Sequence, residues 1–285
     1  MKKNYCVIAK DVGPANQISC WCIKRKNKVN FSVSGQAKKF FYKRLGKFHN
    51  FNFKLAIDNS EVVICGTGGT EYEKKAMLYA KKNNKKLIVW LDHWIFYKKR
   101  LTLKKKTIIP NEIWVTDKYA LKIAKQTFNC RILLKPDYYW QYYSNKKKPK
   151  KISNKLELLY LLGRIDAHDY KNNKFGKIEM RAFKNFINAV NPIKKKLRIV
   201  VRLHPSNNKK LLNKIISNKE IFDYSNKNLI EDLNYANYVF GANSSSSYYA
   251  LKLNKKFVNC ISKPKDFILP FRSLIKLKEF IKQFK

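Results

Sequence analysis

The chain has 285 residues, 45% of them hydrophobic, and sets 62 lysines and arginines against 19 acids for a formal net charge of +43. That length and apolar content exclude wholesale disorder and suit one large domain or two ordinary ones with buried cores. No run approaches the roughly 18–20 continuous apolar residues that span a bilayer, and the opening "MKKNYCVIAKDVG" has too short an apolar stretch for a signal peptide.

Six scattered cysteines read as reduced thiols, and Cys20 and Cys22 stand too close for a usual zinc knuckle. The expectation is a cytoplasmic protein with no metal site. Lysines recur in nearly every predicted helix and loop ("KKNNKK", "NKKKPKK", "SNNKK") rather than in one stripe, and asparagine is abundant too, as A/T-rich codon usage would produce. What remains is a general attraction to anions: nucleotides, acidic glycans and the anionic inner face of a membrane. Sequence-specific nucleic-acid binding is not favoured. Against this background the few acids draw the eye, above all Asp11, Asp92, Asp117 and Glu231.

In chain order, "YCVIA" (5–9) is a short buried strand followed by a turn-forming "KDVGPAN", and "VNFSVSG" (29–35) alternates as a strand before the helical spacing of "QAKKFFYKRLGKF". The clearest unit has a strand at 61–65, the glycine-rich turn "GTGGT", a helix over about 70–83 and a strand at 86–91. "NEIWVTD" and "RILLK" add two strands flanking a helix from Lys118 to Phe128. Apolar strands alternating with helices predict a parallel sheet covered on both faces.

The charged "YYSNKKKPKKISNK" (142–155) reads as an interdomain linker. The rhythm then restarts with a strand at 156–165, an amphipathic helix at 176–190, a strand from Leu197 ending at Pro205 and a helix at 209–218. Leu229, Leu233 and Ala236 mark one buried helix face; a strand "YVFGA", a helix 246–253 and a strand "KFVNCI" complete the series. The predicted organisation is two doubly wound α/β domains, 1–145 and 146–285. Ligands of such sheets sit at the carboxyl ends of the strands.

Two strand ends in the second half carry anion-binding chemistry. Pro205 cannot continue a central strand, so His204 of "RLHPSN" stands at the mouth of the sheet, able to donate to a phosphate oxygen. "GANSSSS" (241–247) places Gly241, Asn243 and the serines Ser244, Ser245, Ser246 and Ser247 between a strand end and a helix. A simple N-cap needs one hydroxyl. A row of four points instead to a phosphate cradle shared with Arg202, His204 and Pro205.

An "HP" at 204–205 followed by "G-x-x-S-S" from Gly241 resembles the HP and SS motifs of bacterial sialyltransferases and polysialyltransferases. The resemblance implies a GT-B fold, two Rossmann-like domains facing across a cleft, and an inverting, metal-independent glycosyltransferase that uses a CMP-activated acidic sugar: sialic acid, another nonulosonic acid or Kdo. It implies that His204 and two of the serines, Ser245 and Ser246 being favoured, hold the CMP phosphate. No cofactor is expected, only a nucleotide-sugar donor and a glycan or lipid-linked glycan acceptor in surface-glycan synthesis. Peripheral contact with the inner membrane fits the charge.

The acidic triplet that such enzymes use for the catalytic base is missing here. "WLDHWIFYKKR" offers Asp92 and His93 at a strand end, in a stretch similar to one in uncharacterised bacterial surface-carbohydrate proteins; "AKDVGPANQI" offers Asp11. Any of the three could take a proton from an acceptor hydroxyl. Gly13, Asn16, Gly68 and Trp94 are the candidate acceptor contacts. CDP-glycerol or UDP-sugar transferases of GT-B type are the nearest alternative, and a non-catalytic polyanion or nucleic-acid binder is another. A GT-B epimerase would need extra acids at the site, and this sequence is short of them.

Overall fold

The computed structural model describes residues 4–68, 71–144, 155–165, 174–207, 222–271 and 275–284. The expected helix at 209–218 and most of the expected linker lie outside them. The chain divides into two compact units, Met1–Asn145 and Lys146–Lys285.

The N-terminal unit holds β1 (Tyr5–Ala9), β2 (Val29–Val33), β3 (Val62–Cys65), β4 (Lys86–Trp90), a hairpin of β5 (Thr102–Leu103) and β6 (Lys106–Thr107), β7 (Glu112–Val115) and β8 (Arg131–Leu134). Its main sheet runs β2-β1-β3-β4-β7-β8, and every pair in it is parallel. Apolar strands such as "VVIC" and "KLIVW" are buried because helices cover such a sheet. The crossovers carry α1 (Val12–Cys22), α2 (Ala37–Leu45), α3 (Phe53–Asp58), α4 (Glu71–Lys82), α5 (Tyr97–Arg100), α6 (Lys118–Thr127) and a final α7 (Tyr138–Ser144).

Two of these correct the sequence reading. "DVGPANQISCWC" is a helix from Val12, not a turn: Pro14 falls in the first turn, where an N–H has no intrahelical acceptor to lose. Residues 142–144, read as the start of the linker, instead end a helix, "YYWQYYS", that buries Tyr139 and Tyr143 at i, i+4.

The C-terminal unit holds β9 (Leu156–Leu161), β10 (Leu197–Arg202), β11 (Asp223–Tyr224), β12 (Tyr238–Gly241), β13 (Lys256–Asn259) and β14 (Ile275–Lys276), with helices α8 (Lys174–Val190), α9 (Leu229–Tyr235), α10 (Ser247–Lys252) and α11 (Leu277–Lys282). Its sheet, β11-β10-β9-β12-β13-β14, is parallel throughout. This is the 3-2-1-4-5-6 order of dinucleotide-binding sheets, which reverses between β9 and β12. Tyr160, Phe183, Phe186, Phe240 and Phe280 form its aromatic core. Leu229, Leu233 and Ala236 are buried as their spacing predicts. The strands at 156–165 and 197–205 stop early, at Leu161 and Arg202, which frees their last residues to form loops.

Candidate functional site

In the C-terminal unit the loops after β9, β10 and β12 are tied together by side chains remote in sequence. Glu179, on α8, is buried and accepts two backbone N–H groups, from Gly163 after β9 (3.1 Å) and from Asn243 after β12 (2.8 Å). A Cβ at residue 163 would meet that carboxylate at 2.5 Å, so any larger residue there would push Glu179 out of its clasp. Burial pushes the Glu179 carboxyl up to about 7 despite the two donors. Asn207, at the end of "RLHPSN", donates to Gly163 O (2.8 Å) and accepts from Ile165 N–H (2.8 Å). The exit of β9 is thus the hub that fixes both the histidine loop and the serine loop. Since β9 lies between β10 and β12, those loops leave the sheet about 10 Å apart at ordinary strand spacing.

Within the serine loop the four hydroxyls divide. Ser247 Oγ donates to Ser244 O (2.6 Å) and is fully buried, and Ser244 Oγ accepts from Ser246 N–H (3.3 Å). Among the described residues no hydrogen bond engages the hydroxyls of Ser245 and Ser246, and both residues are partly exposed. His204 Nδ1 pairs with Ser206 Oγ (2.8 Å) and accepts from Ser206 N–H (3.2 Å), which orients the ring within the turn. Pro205 is exposed beside it.

Other expected phosphate ligands are occupied by the protein itself. Arg202 donates to Asp232 Oδ2 (2.7 Å) and to Lys227 O (2.8 Å). Asn243 uses its amide to hold the 266–268 segment, donating to Asp266 O and accepting from Ile268 N–H. Gly241 allows close strand packing against Leu161 O. Arg202 thus braces the start of α9, and Asn243 braces the 266–268 segment.

In the N-terminal unit the exits of β1, β3 and β4 gather carboxylates. Asp92, after β4, is 14% exposed and accepts from Arg100 (2.8 Å) and Thr67 Oγ1 (3.3 Å). A Cβ on Gly13 would overlap Asp92 Oδ2, so the close approach that Gly13 permits is by this carboxylate. Burial raises the Asp92 carboxyl above its ordinary range; Arg100 opposes that, and the neighbouring Asp11 adds to it. Asp11 occupies the N-cap position of α1 without a side-chain capping bond. Its carboxylate and that of Glu73 both crowd Gly68. Glu73, buried on α4, accepts from Lys10 N–H (2.9 Å).

Three further candidate residues make hydrogen bonds within the protein. Trp94 is 6% exposed and donates its indole N–H to Asp117 (3.0 Å), which also caps α6. Asn16 accepts from Arg44 (2.8 Å). His93 Nδ1 accepts the adjacent Trp94 N–H (2.8 Å). Glu231 bonds to Asn228 at the start of α9 and has a structural role as well.

Glu179, Gly163, Asn207 and Glu73 were not singled out from sequence. The signal that could have found Gly163 is its place directly after an apolar strand.

Among the described residues no group of three His, Cys, Asp or Glu side chains is arranged to hold a metal ion. No described helix is long and apolar enough to cross a membrane. All six cysteines are free, and burial pushes the Cys20 thiol up to about 11. Exposed lysines are spread over α2, α4, α6 and α8, in both units.

No family model and no curated protein matches the sequence. Solved structures do match in fold. A Listeria monocytogenes protein assigned as a UDP-N-acetylglucosamine 2-epimerase superposes with a TM-score of 0.63 at 10% identity, over 91% of this chain and 79% of that one. The S. aureus MnaA–UDP co-structure matches at 0.62 and 12% identity, over 90% and 78%. Anabaena Alr3699/HepE in complex with UDP matches at 0.55 and 8%, over 90% and 80%. With its two parallel six-stranded sheets, the chain has the two-domain, Rossmann-like α/β fold termed GT-B.

Proposed function

We propose that this protein is an inverting glycosyltransferase that binds a nucleotide-activated sugar through its C-terminal unit and an acceptor through its N-terminal unit. The observation that carries the reading is the cross-tied exit of β9, which holds His204 and the unengaged hydroxyls of Ser245 and Ser246 at the switch point of a 3-2-1-4-5-6 sheet. Small donors fixed in place suit a phosphate, because they need no reorganisation when charge develops on it.

In the transfer step the acceptor oxygen bonds to the anomeric carbon as that carbon's bond to the phosphate oxygen breaks. The acceptor proton passes to Asp92, and the nucleotide leaves with the electron pair, its charge stabilised by His204, Ser245 and Ser246. Burial suits Asp92 to the role by raising its proton affinity toward the working pH. Asp11 is the second candidate base.

The HP and SS pattern favours CMP and an acidic sugar. The transfer needs no metal, so it should persist in chelator. A melting-temperature panel of CMP, CDP, UDP and GDP tests the donor. The largest shift should come from CMP; a shift from UDP alone would refute the CMP reading, and no shift from any would refute nucleotide binding.

A second reading is supported by two observations: related folds carry UDP, and the acids that an epimerase needs do gather, as Asp11, Glu73 and Asp92. On that reading a UDP-sugar incubated in deuterium oxide without acceptor would gain deuterium at the epimerised carbon. Transfer without such exchange would exclude it.

A further inference from the structure

Between β4 and β7 the N-terminal chain makes an excursion of which the chemistry above uses only Asp92, His93 and Arg100. Phe96 stands there 49% exposed with a left-handed backbone (φ 59), a conformation unfavourable for a bulky residue and found mostly where function retains it. Lys99 Nζ lies 5.9 Å from the centroid of its ring. Further on, Lys104 (φ 46) and Lys105 (φ 65) form the left-handed turn of the β5–β6 hairpin. Asparagine and glycine are the usual residues of such turns, so lysine here accepts backbone strain to put ammonium groups at the tip. Ile109 follows, 44% exposed, next to a buried Ile108 whose N–H is held by Leu101 O. No acidic residue occurs between His93 and Asn111.

We propose that this excursion docks the N-terminal unit onto an anionic lipid surface. Phe96 and Ile109 enter the boundary between headgroups and acyl chains, and Lys98, Lys99, Lys104, Lys105 and Lys106 face the lipid phosphates. The apolar pair is what selects a membrane over a soluble polyanion: charge alone serves a nucleic acid, whereas Ile109 has no π-face to stack on a base. Docking requires nothing of the donor nucleotide. It does bear on the reaction, because Arg100, which anchors Asp92, belongs to the same short segment.

The test is co-sedimentation of the full chain with vesicles of phosphatidylcholine, with and without phosphatidylglycerol, at physiological salt. The wild type should partition onto the phosphatidylglycerol vesicles. The variant Phe96→Asn with Ile109→Asn should lose about tenfold or more, the effect of withdrawing two large apolar side chains from lipid. Asparagine tolerates the left-handed region, so the single variant Phe96→Asn should melt at the same or a higher temperature, which separates docking from folding.

Lys81→Glu with Lys82→Glu, on α4, reverses charge elsewhere and should change binding less than about twofold if the patch is specific. Failure of the wild type to bind, unchanged binding by the double Asn variant, or an equal loss in the α4 control would each overturn the proposal. So would an equal loss of affinity for a single-stranded oligonucleotide by the double Asn variant, which would make the patch a general polyanion surface.

Discussion

The carboxyl edges of the two sheets share one device and differ in what surrounds it. In the N-terminal unit the strand order reverses between β1 and β3, and Glu73, from the helix after β3, reaches back to the exit of β1. In the C-terminal unit it reverses between β9 and β12, and Glu179, from the helix after β9, binds the exits of both strands. A glycine is pressed against each carboxylate, Gly68 on Glu73 and Gly163 on Glu179. Around Glu73 stand Asp11 and the Asp92–Arg100 pair; around Glu179 stand serines, asparagines and His204. The same architecture thus presents an edge lined by carboxylates in one unit and an edge lined by serine, asparagine and histidine in the other. Topology sets where a site forms, and the loop side chains set its chemistry.

Exchange of the roles is the first way to break this contrast. Asp92→Asn should lower turnover by about 10²–10⁴-fold while leaving the nucleotide-induced melting shift intact. Loss of that shift instead would mean that the N-terminal edge also binds nucleotide.

Glu179→Ala strands two buried N–H groups and should destabilise the protein by about 2–5 kcal/mol in denaturant unfolding. A loss under 1 kcal/mol would mean that water replaces the clasp. His204→Ala should weaken nucleotide binding by about 10–100-fold, the range for a hydrogen bond to a charged group, as read by calorimetry.

Ser245→Ala and Ser246→Ala should each cost about fivefold in nucleotide affinity. Ser247→Ala should instead act on stability, because its hydroxyl is bound to Ser244 O. Equal effects of all three on affinity would erase the distinction between engaged and unengaged serines.

A last effect concerns pH. The Glu179 carboxyl is raised in the folded state from 4.5 to about 7, so the folded protein favours its protonated form. Its stabilising contribution is complete below about 4.5 and is lost as pH rises through about 7. Glu179→Gln should flatten that part of the melting-temperature profile; an unchanged slope would assign the titration to another group, with Asp92, also raised, the first to examine.

Much of the fold was legible because buried parallel strands are continuous apolar runs and their helices repeat a 3.6-residue period. "EVVICGTGGTEYEKKAMLYAKKNNKKLIVW" shows both in one segment. The misreadings were local. A Gly-Pro pair looked like a turn in α1, where Pro14 costs no hydrogen bond, and a tyrosine-rich stretch without charge alternation concealed α7.

The loops that carry the candidate site could be located from sequence, because Pro205 and Gly241 punctuate strand ends. Which residues of those loops face outward could not. Arg202, Asn243, Trp94 and Asn16 sit where a ligand contact was expected, yet their polar atoms are bound by Asp232, Asp266, Asp117 and Arg44. Such pairings depend on partners up to 30 residues away or on neighbouring elements, and period and composition carry no record of them.

By itself, then, the sequence determined the α/β alternation, the strand ends and the clustering of serines, since each follows from short-range hydrophobic and turn chemistry. The tertiary structure alone decided which serines are engaged, that Gly163 is the hub between the two loops, and that Glu73 and Glu179 clasp the switch points. These follow from strand order, which sets β9 between β10 and β12 and brings residues 16, 44 and 64 positions apart within hydrogen-bond reach.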